Sequence, residues 1–276
     1  MLHVFSVEGD LFLMKNVIVT GAGGGMGNAI CTLLSQKGCK VYGLDCRKPA
    51  HLPCPFLLCD VTNPDSVQQA FAEVKSHTGS VDAIVHTAGI YDLDSLVEID
   101  EERFRRIFEI NLFGVYRINK TFLPLLHKGS RIILTTSELA PLDPLPFTGI
   151  YAITKTALEK YAFSLRMELN LLGISVSVIR PGAVKTGLLG DSTRALDAFV
   201  THTKLYPCNA KRFQAIVNSV ESKSISPDEI ARTVWNALTA RHPKFVYNKN
   251  RNIALRLLHV LPAHLQVWII QQILKN

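Results

Sequence analysis

The sequence predicts one α/β domain built on a parallel sheet with helices on both faces, and three observations support this. Short runs of Val, Ile and Leu without polar alternation recur along the chain, separated by helical stretches. Such runs are typical of parallel strands that are covered on both faces. A glycine-rich turn follows the first run and opens a helix, and no internal repeat or long linker divides the 276 residues. We therefore expect a single domain.

Six of the apolar runs are predicted to be buried strands, because each is short, rich in β-branched residues and bounded by turn residues. They are residues 16–20, 40–44, 56–59, 82–86, 131–136 and 174–179. Helical stretches are predicted near residues 25–37, 64–77, 100–126, 151–172 and 228–240. Asn63 before Pro64 and Ser226 before Pro227 are typical helix starts, in which an N-cap residue precedes a proline in the first turn.

Three further segments complete the predicted organisation. Residues 1–14 precede the first strand and are interpreted as an N-terminal appendage to a domain that spans residues 15–250. Residues 183–226 are polar and weakly periodic, and they follow the sixth strand, where ligands of open α/β sheets bind. We expect an irregular lid there. Residues 251–276 are predicted to form an amphipathic helical extension.

The composition narrows the class of protein. With 47% hydrophobic and 19% charged residues, the chain can bury a large core, which excludes general disorder. The net charge is +7, of which residues 241–276 supply six. A nucleic-acid partner is not expected, because nucleic-acid binders usually carry a broader basic face. The six cysteines form no CxxC pair and no zinc-site spacing, so we expect buried thiols, no metal, and a cytoplasmic protein.

The glycine-rich turn spans residues 20–27 (TGAGGGMG), with Met26 inside it. It matches the spacing TGxxxGxG through Gly21, Gly25 and Gly27, and it does not match GxGxxG. Glycines let the backbone approach a pyrophosphate, and the helix N-terminus that follows offers free N–H groups and the positive end of a dipole. The turn therefore predicts a dinucleotide site.

Acidic residues after the next two strands indicate how the dinucleotide would be held. Asp45 closes the second strand, 20 residues beyond Gly25. A carboxylate there accepts hydrogen bonds from the ribose hydroxyls and repels a 2′-phosphate, which favours NAD over NADP. Arg47 weakens that preference. Asp60 and Val61 follow the third strand and are predicted to meet the adenine, although Asp60 is equally suited to cap the next helix.

A phenol and an ammonium lie one helical turn apart at Tyr151 and Lys155. A tyrosine hydroxyl has a pKa near 10, and neighbouring cations favour the phenolate, so we expect Lys155 and the positive nicotinamide of an oxidised cofactor together to lower the pKa of Tyr151. Tyr116 and Lys120 have the same spacing. Ser137 ends the fifth strand 14 residues before Tyr151, so it can converge with Tyr151 at the carboxyl edge of the sheet. Tyr116 has no such partner and is interpreted as helix surface or interface.

Taken together, these residues resemble the short-chain dehydrogenase/reductase family over roughly residues 15–250. The resemblance is carried by Gly21, Gly25, Gly27, Asn111, Ser137, Tyr151, Lys155, Pro181 and Gly182. It implies a doubly wound Rossmann fold with a seven-stranded parallel sheet. It also implies Tyr151 as acid and base, Ser137 orienting the substrate oxygen, Lys155 holding the nicotinamide ribose, and Asn111 holding a proton-relay water. The cofactor contacts that it implies also include Met26, Ala88, Gly89, Val184 and Thr186.

The sequence departs from the family after the fourth strand. Where the family usually has Asn-Asn-Ala-Gly, this chain has His86-Thr87-Ala88-Gly89. A threonine lacks the simultaneous donor and acceptor of a carboxamide, which puts the contacts between neighbouring strands in doubt. His86 is interpreted as a buried, hydrogen-bonded histidine, with a functional titrating group as the alternative.

Residues 111–126 and 149–151 look like the hydroxysteroid and retinol dehydrogenase branch of the family. We therefore expect an NAD-dependent enzyme of lipid metabolism that interconverts a hydrophobic secondary alcohol and its ketone or aldehyde, and that is a homodimer or homotetramer. A 3-oxoacyl carrier-protein reductase and a non-catalytic NAD sensor are the alternatives. Apolar lid residues either line the substrate pocket or seat the lid on the core. They are Leu188, Leu189, Leu196, Phe199, Val200, Leu205 and Tyr206.

The C-terminal extension leaves two interpretations open. Apolar residues recur at helical spacing from Ile253 to Ile273, interrupted by Pro262, with basic residues upstream. The segment either packs beside the substrate mouth or against a second subunit, or it lies on an anionic membrane as an interfacial helix. Pro262 and the polar residues of the segment argue against a spanning helix.

Overall fold

The computed structural model describes residues 14–275, except for the side chains of residues 187–193. The predicted appendage, apart from its last residue, lies outside the described residues. Met14 itself is buried in the core cluster beneath the first strand.

Seven parallel strands form one sheet, as the family resemblance implied. They are β1 Asn16–Thr20, β2 Lys40–Asp45, β3 Phe56–Leu58, β4 Val81–His86, β5 Leu126–Thr135, β6 Ser175–Pro181 and β7 Val246–Lys249. Their order is β3-β2-β1-β4-β5-β6-β7. The chain reverses its winding direction between β1 and β4, and a crevice opens at the carboxyl ends of strands at such a point.

Helices cover both faces of this sheet. They are α1 Gly25–Gln36, α2 Pro64–His77, α3 Glu101–Phe108, α4 Gly114–Phe122, α5 Gly149–Asn170, α6 Gly187–His202, α7 Pro207–Glu221, α8 Pro227–Thr239, α9 Ile253–Val260 and α10 Ala263–Leu274. Val17 and Val19 of β1 face a core cluster with α1 and α8, whereas Ile18 faces α2 and α4. Because successive strand residues point to opposite faces, a strand covered on both sides has no polar alternation.

The single helix predicted over residues 100–126 is interrupted. A π-helical turn over Glu109–Phe113 separates α3 from α4, and Asn111 is buried within it. A 3₁₀ turn over Leu123–Leu125 contains a proline and ends α4, so β5 begins at Leu126, earlier than predicted. The π-helical turn places Asn111 beneath the carboxyl end of β4.

The lid over residues 183–226 is helical, and the prediction of an irregular insertion is wrong. α6 and α7 bury an apolar stripe that includes Leu196, Phe199 and Phe213 against Phe147. Glu98 fixes the position of the end of α6. Its carboxylate accepts hydrogen bonds from Thr203 Oγ1 at 2.6 Å and from the backbone N–H groups of Lys204 and Leu205. This apolar stripe is narrow and lies within a polar sequence, so the helical periodicity of the segment was not recognised from the sequence.

The C-terminal extension forms two helices, α9 and α10, which meet at Pro262. Asn252 is the N-cap of α9, and its side chain accepts from Ala254 N at 2.9 Å. The backbone N–H of Asn252 donates to Glu138 Oε2 at 2.6 Å. This bond attaches the extension to the residue that follows Ser137.

The N-cap of α2 provides a test of the local structure. Asn63 Oδ1 accepts from Asp65 N at 2.9 Å and from Ser66 N at 3.2 Å. We expect Asn63→Ala to lower the free energy of unfolding by about 1 kcal/mol in urea titrations, because two N–H groups lose their acceptor. Asn63→Asp keeps an acceptor and should stay within a few tenths of a kcal/mol of the wild type. Equal losses in the two variants would contradict the capping role.

Candidate active site

The three side chains expected to carry the chemistry lie together at the carboxyl edge of the sheet. Ser137 follows β5, and Tyr151 and Lys155 lie on the first two turns of α5. All three are buried and line one cavity of about 200 Å³. The Ser137 hydroxyl lies near enough to the Tyr151 phenol to favour its phenolate. Lys155 Nζ lies 5.6 Å from the centroid of the Tyr151 ring and donates to the Thr135 carbonyl at 3.1 Å.

Asn111 lies next to this group but does not face the cavity. Its Oδ1 accepts from Ile90 N at 2.9 Å, and its Nδ2 donates to Ile90 O at 2.9 Å and to Thr154 Oγ1 at 3.1 Å. A Cβ on Gly89 would lie 3.1 Å from Asn111 Oδ1 and 3.6 Å from Lys155 Nζ. The amide therefore fixes the segment after β4 against α5, and the small Gly89 lets Asn111 and Lys155 approach each other.

Burial governs the protonation of the pair. The pKa of Tyr151 is raised to about 12, because desolvation disfavours the phenolate, an effect that the Ser137 hydrogen bond opposes and the Glu138 carboxylate increases. The pKa of Lys155 falls to about 8 because its ammonium is desolvated. Burial thus sets the direction of both shifts, and the lowering of the Tyr151 pKa by Lys155 together with a positive nicotinamide stays a prediction. In this environment both side chains favour their neutral forms more than they would in water.

The glycine turn has the shape that a diphosphate needs. Gly21 has φ +69°, and a Cβ there would lie 2.5 Å from Ala88 N, so a side chain is excluded both by backbone conformation and by space. A Cβ on Gly27 would lie 2.1 Å from Gly21 O. No side chain caps α1, and its first turn carries no acidic residue. The N–H groups of the first turn are therefore free of side-chain competition for an anion.

Asp45 lies beside this turn, as predicted. Its carboxylate accepts from Gly23 N at 2.9 Å and from Arg47 N at 3.1 Å. The last residue of β2 is thus fixed against the glycine turn, and its contact with the ribose of a dinucleotide stays a prediction.

Asp60 and Val61 have local roles in the structure. Asp60 Oδ1 accepts from Thr62 N at 2.9 Å and Thr62 Oγ1 at 2.7 Å, whereas Asn63 caps α2. Val61 packs against α4, since a Cβ on Gly114 would lie 2.7 Å from Val61 Cγ2. These contacts hold the loop after β3 and leave its predicted contact with adenine as a prediction.

The segment after β6 forms the opposite wall of the cavity. Predicted cofactor contacts that line it are Met26, Gly89, Pro181, Gly182, Val184 and Thr186. A Cβ on Gly182 would lie 1.9 Å from Asn250 O, so only glycine fits where the two backbones cross. A Cβ on Gly25 would lie 2.9 Å from Thr186 Cγ2, which brings this wall directly across from the glycine turn.

The two residues that depart from the family pattern, His86 and Thr87, both form hydrogen bonds in the structure. Thr87 Oγ1 donates to Thr20 O at 2.7 Å, and Ala88 N donates to Thr20 Oγ1 at 3.4 Å. Hydroxyl groups thus join the ends of β1 and β4. His86 is buried, and its Nε2 is 2.8 Å from Asn119 Oδ1. Burial lowers the pKa of His86 to about 4, so it is the hydrogen-bonded core histidine that was predicted.

The competing tyrosine lies elsewhere. Tyr116 is 44% exposed on α4, and Lys120 Nζ lies 5.7 Å from its ring centroid. It is on the helix surface, as the sequence indicated.

Sequence reasoning missed part of the cavity wall. Tyr91 packs against Tyr151 with ring centroids 4.4 Å apart, and Glu138 and Leu255 also line the cavity. The sequence could have indicated Glu138, because it directly follows Ser137, whereas no motif marks Leu255 on α9 as a cavity residue. The lid lines the cavity through α7, with Phe213, Ile216, Val217 and Val220.

The lid residues singled out in the sequence mainly seat the lid on the core. Leu196 and Phe199 are buried in a cluster that Val200 and Tyr206 join, whereas Leu205 is 62% exposed. Leu188 and Leu189 lie outside the described side chains. Among the described residues, no group of three His, Cys, Asp or Glu side chains is arranged to hold a metal ion.

Comparison with known proteins assigns the family. The family model described as short chain dehydrogenase matches residues 15–197. The chain belongs to the short-chain dehydrogenase family. Members of this family are oxidoreductases that act on CH–OH groups and bind NAD or NADP.

The relatives named below are less than one third identical in sequence to this short-chain dehydrogenase. It is 28% identical over 256 residues to the 3-ketodihydrosphingosine reductase of Bacteroides thetaiotaomicron, covering 92% of each chain. It is 29% identical to estradiol 17-beta-dehydrogenase 2 of Mus musculus, covering 91% of this chain and 72% of that one. A short-chain dehydrogenase structure from Streptomyces avermitilis superposes with a TM-score of 0.73 at 22% identity, covering 96% of this chain and 99% of that one, which supports the fold.

The buried histidine makes stability depend on pH. In the unfolded chain a histidine titrates near 6.5, whereas the pKa of folded His86 is about 4. Between these values the unfolded state binds more protons, so the contribution of His86 is complete above pH 6.5 and is lost as pH falls toward 4. The wild-type chain should lose on the order of 3 kcal/mol of unfolding free energy through His86 as pH falls from 6.5 to 4. We expect His86→Gln to abolish this loss in urea titrations across that pH range. The exposed His242, replaced by Gln, is the control, and an unchanged pH profile in His86→Gln would contradict the assignment.

Proposed function

We propose that this short-chain dehydrogenase interconverts a hydrophobic secondary alcohol, steroid-like or retinoid-like, and its ketone or aldehyde, with NAD as the cofactor. The observation that carries the proposal is the meeting of Ser137, Tyr151 and Lys155 inside a cavity whose wall is mostly apolar. Relatives named for a steroid and for a sphingoid ketone are consistent with a lipophilic substrate.

The chemistry follows from the groups that face the cavity. Tyr151 is the proton-exchanging group, because its phenol is buried in the cavity beside the Ser137 hydroxyl, which favours its phenolate. Ser137 orients the substrate oxygen toward Tyr151. Lys155 supplies a cation near the ring at 5.6 Å, which stabilises the phenolate once the proton is transferred. When bound, the nicotinamide dinucleotide supplies hydride exchange with the substrate carbon.

The residues of the chain fit such a dinucleotide. The glycine turn and the uncapped start of α1 would hold the diphosphate, Asp45 would hold the adenosine ribose, and Lys155 would hold the nicotinamide ribose. Pro181, Gly182, Val184 and Thr186 would border the nicotinamide. Asp45 carries the proposed preference for NAD, since its carboxylate repels a 2′-phosphate.

The cavity favours a substrate without a strongly anionic anchor. Phe213, Ile216, Val217 and Val220 from α7 and Leu255 from α9 form an apolar side, while Glu138 and Glu221 are the acidic residues in the described lining. A phosphate or carboxylate group would face these acids with Lys155 as the only described cation among the lining residues. The alternative 3-oxoacyl carrier-protein reductase predicts NADP as the cofactor, which the carboxylate of Asp45 disfavours.

We also propose a homodimer or homotetramer that forms through the faces of α4 and α5. Exposed apolar side chains on these two helices include Phe113 beside α4, Tyr116, Phe163 and Met167. Exposed apolar side chains of this size are common at subunit interfaces.

The role of Tyr151 is tested by removing one oxygen atom. We expect Tyr151→Phe to lower kcat about 10³-fold, because general acid–base catalysis contributes about 10²–10⁴-fold, while the Kd for NAD stays within about twofold. Rates are measured with steroid, retinol and short-alcohol substrates. Tyr116→Phe, which removes the same atom from the surface Tyr-x-x-x-Lys pair, should keep full turnover. Near-normal turnover in Tyr151→Phe would refute the assignment, and NAD binding without turnover of any of these substrates in the wild type would favour the sensor.

The cofactor preference is tested at the end of β2. We expect Asp45→Ser to raise kcat/KM for NADP relative to NAD by at least about tenfold, because removing the carboxylate removes its repulsion of the 2′-phosphate. Both dinucleotides are compared with the same alcohol. Asp60→Ser is the control, since it removes an acid from the next strand end. An unchanged ratio in Asp45→Ser would show that the preference arises elsewhere.

A further inference from the structure

The C-terminal hairpin, defined here as residues 253–274, presents apolar side chains to solvent. Ile253 is 70% exposed, Leu257 65%, Val260 82% and Trp268 57%. Both helices are described in full, and within them only Leu274 is buried. A helix that is apolar on most of its circumference is normally covered by protein or lipid. This surface therefore lacks its partner.

The exposed side chains form a stripe on α9. Ile253, Leu257 and Val260 are spaced by four and three residues, so they lie on one face of α9. Across Pro262, Leu265 and Trp268 are spaced by three residues on α10, and both are exposed. Trp268 adds an amphipathic ring, which is enriched where protein meets the headgroup region of a bilayer.

The charges around the hairpin are mostly positive. Residues 241–276 contain six Lys and Arg and no Asp or Glu. Arg256 on α9 and Lys275 after α10 are exposed. Asn209 of α7 donates to Leu274 O at 2.6 Å, so α7 lies beside the end of α10. A nearby acid, Asp143, lies 3.6 Å from His259.

This charge pattern distinguishes two candidate partners. In a twofold dimer the same patch meets itself, so the cations of one copy would face those of the other. An anionic lipid surface instead attracts them, and each basic side chain near such a surface adds to the binding. The exposed apolar stripe contributes in both cases, so the sign of the charge decides between them.

The hairpin is also part of the cavity wall. Leu255 lines the cavity, and it lies on α9 between the exposed Ile253 and Leu257. The N–H of Asn252, at the start of α9, is held by Glu138, which lines the same cavity. One helix therefore separates the cavity from the exposed apolar surface.

We propose that the C-terminal hairpin docks on the surface of a bilayer that contains anionic lipid, with α9 and α10 lying in the plane of the interface. Within the described part of the chain, no helix is long and apolar enough to cross a bilayer. The exposed side chains of the stripe enter the headgroup and acyl boundary, and Arg256 and Lys275 contact lipid phosphates and carboxylates. The part of the cavity wall that Leu255 forms then lies next to the membrane; that this delivers a lipophilic substrate rests on the proposed function.

Vesicle sedimentation tests the docking without any measurement of activity. We expect the full chain to sediment with vesicles of phosphatidylcholine and phosphatidylserine, to bind at least about tenfold more weakly to phosphatidylcholine alone, and to be released by raised salt. The tryptophan emission should shift to the blue on binding. Trp268→Phe should remove that shift, because the other tryptophan, Trp235, is partly buried against the core.

Paired substitutions separate the contributions of charge and apolar surface. Arg256→Gln with Lys275→Gln should lower the partition coefficient about fivefold for each charge removed. Leu257→Ser with Val260→Ser should lower it at least about tenfold. Leu171→Ser, at the end of α5, removes a leucine that is 86% exposed and should leave binding unchanged. Far-ultraviolet circular dichroism and thermal unfolding show whether each variant is folded.

Three results would overturn the proposal. The first is a wild-type chain that stays in the supernatant with both vesicle types. The second is a Leu171→Ser effect as large as that of the hairpin variants. The third is a sedimentation-velocity change from oligomer to monomer in folded Leu257→Ser/Val260→Ser with vesicle binding unaltered, which would identify a second copy as the partner. Loss of binding in the hairpin variants with full turnover of soluble substrate supports the docking and leaves the catalytic proposal intact.

Discussion

The buried ammonium of Lys155 is the constraint on which the arrangement of the active site depends. Its hydrogen bond to the Thr135 carbonyl joins the second turn of α5 to the last residue of β5. With that contact made, helical spacing places Tyr151 one turn earlier, beside Ser137 on the continuation of the strand. Burying an amine is costly unless it is hydrogen-bonded, so the helix has little freedom to slide along the strand. Two elements that are separate in sequence thereby form one rigid corner.

The same burial sets the electrostatics of the cavity. Desolvation moves the pKa values of Tyr151 and Lys155 in opposite directions, and both shifts favour a neutral form. Glu138 adds to this, because its own pKa is raised by burial and its charge opposes the phenolate. A site of this kind resists ionisation until further positive charge is brought into it. Ionisation of Tyr151 is then coupled to the binding of whatever carries that charge.

Much of the site was predictable because its signals are local. The glycine turn, Asp45, Ser137 and the Tyr151–Lys155 pair each follow from residue type and spacing near a strand end or a helix start. β7 was missed as an apolar run, since it is a short edge strand with polar residues that depends on its pairing with β6. The burial that raises the pKa of Tyr151 was not predicted either, because it depends on neighbours such as Tyr91 that are distant in the sequence. The lid helices were hidden for a similar reason, since Phe147, on which they pack, belongs to another segment.

The hydrogen bond between Glu138 and Asn252 links the start of α9 to the wall of the cavity. It makes the position of α9 and the shape of the substrate cavity a single mechanical unit. By thermodynamic reciprocity, if a partner that holds α9 alters the affinity of the cavity for its contents, the contents alter the affinity for that partner by the same factor. The Glu138 carboxylate would then couple the binding of a partner at α9 to the binding of a ligand in the cavity.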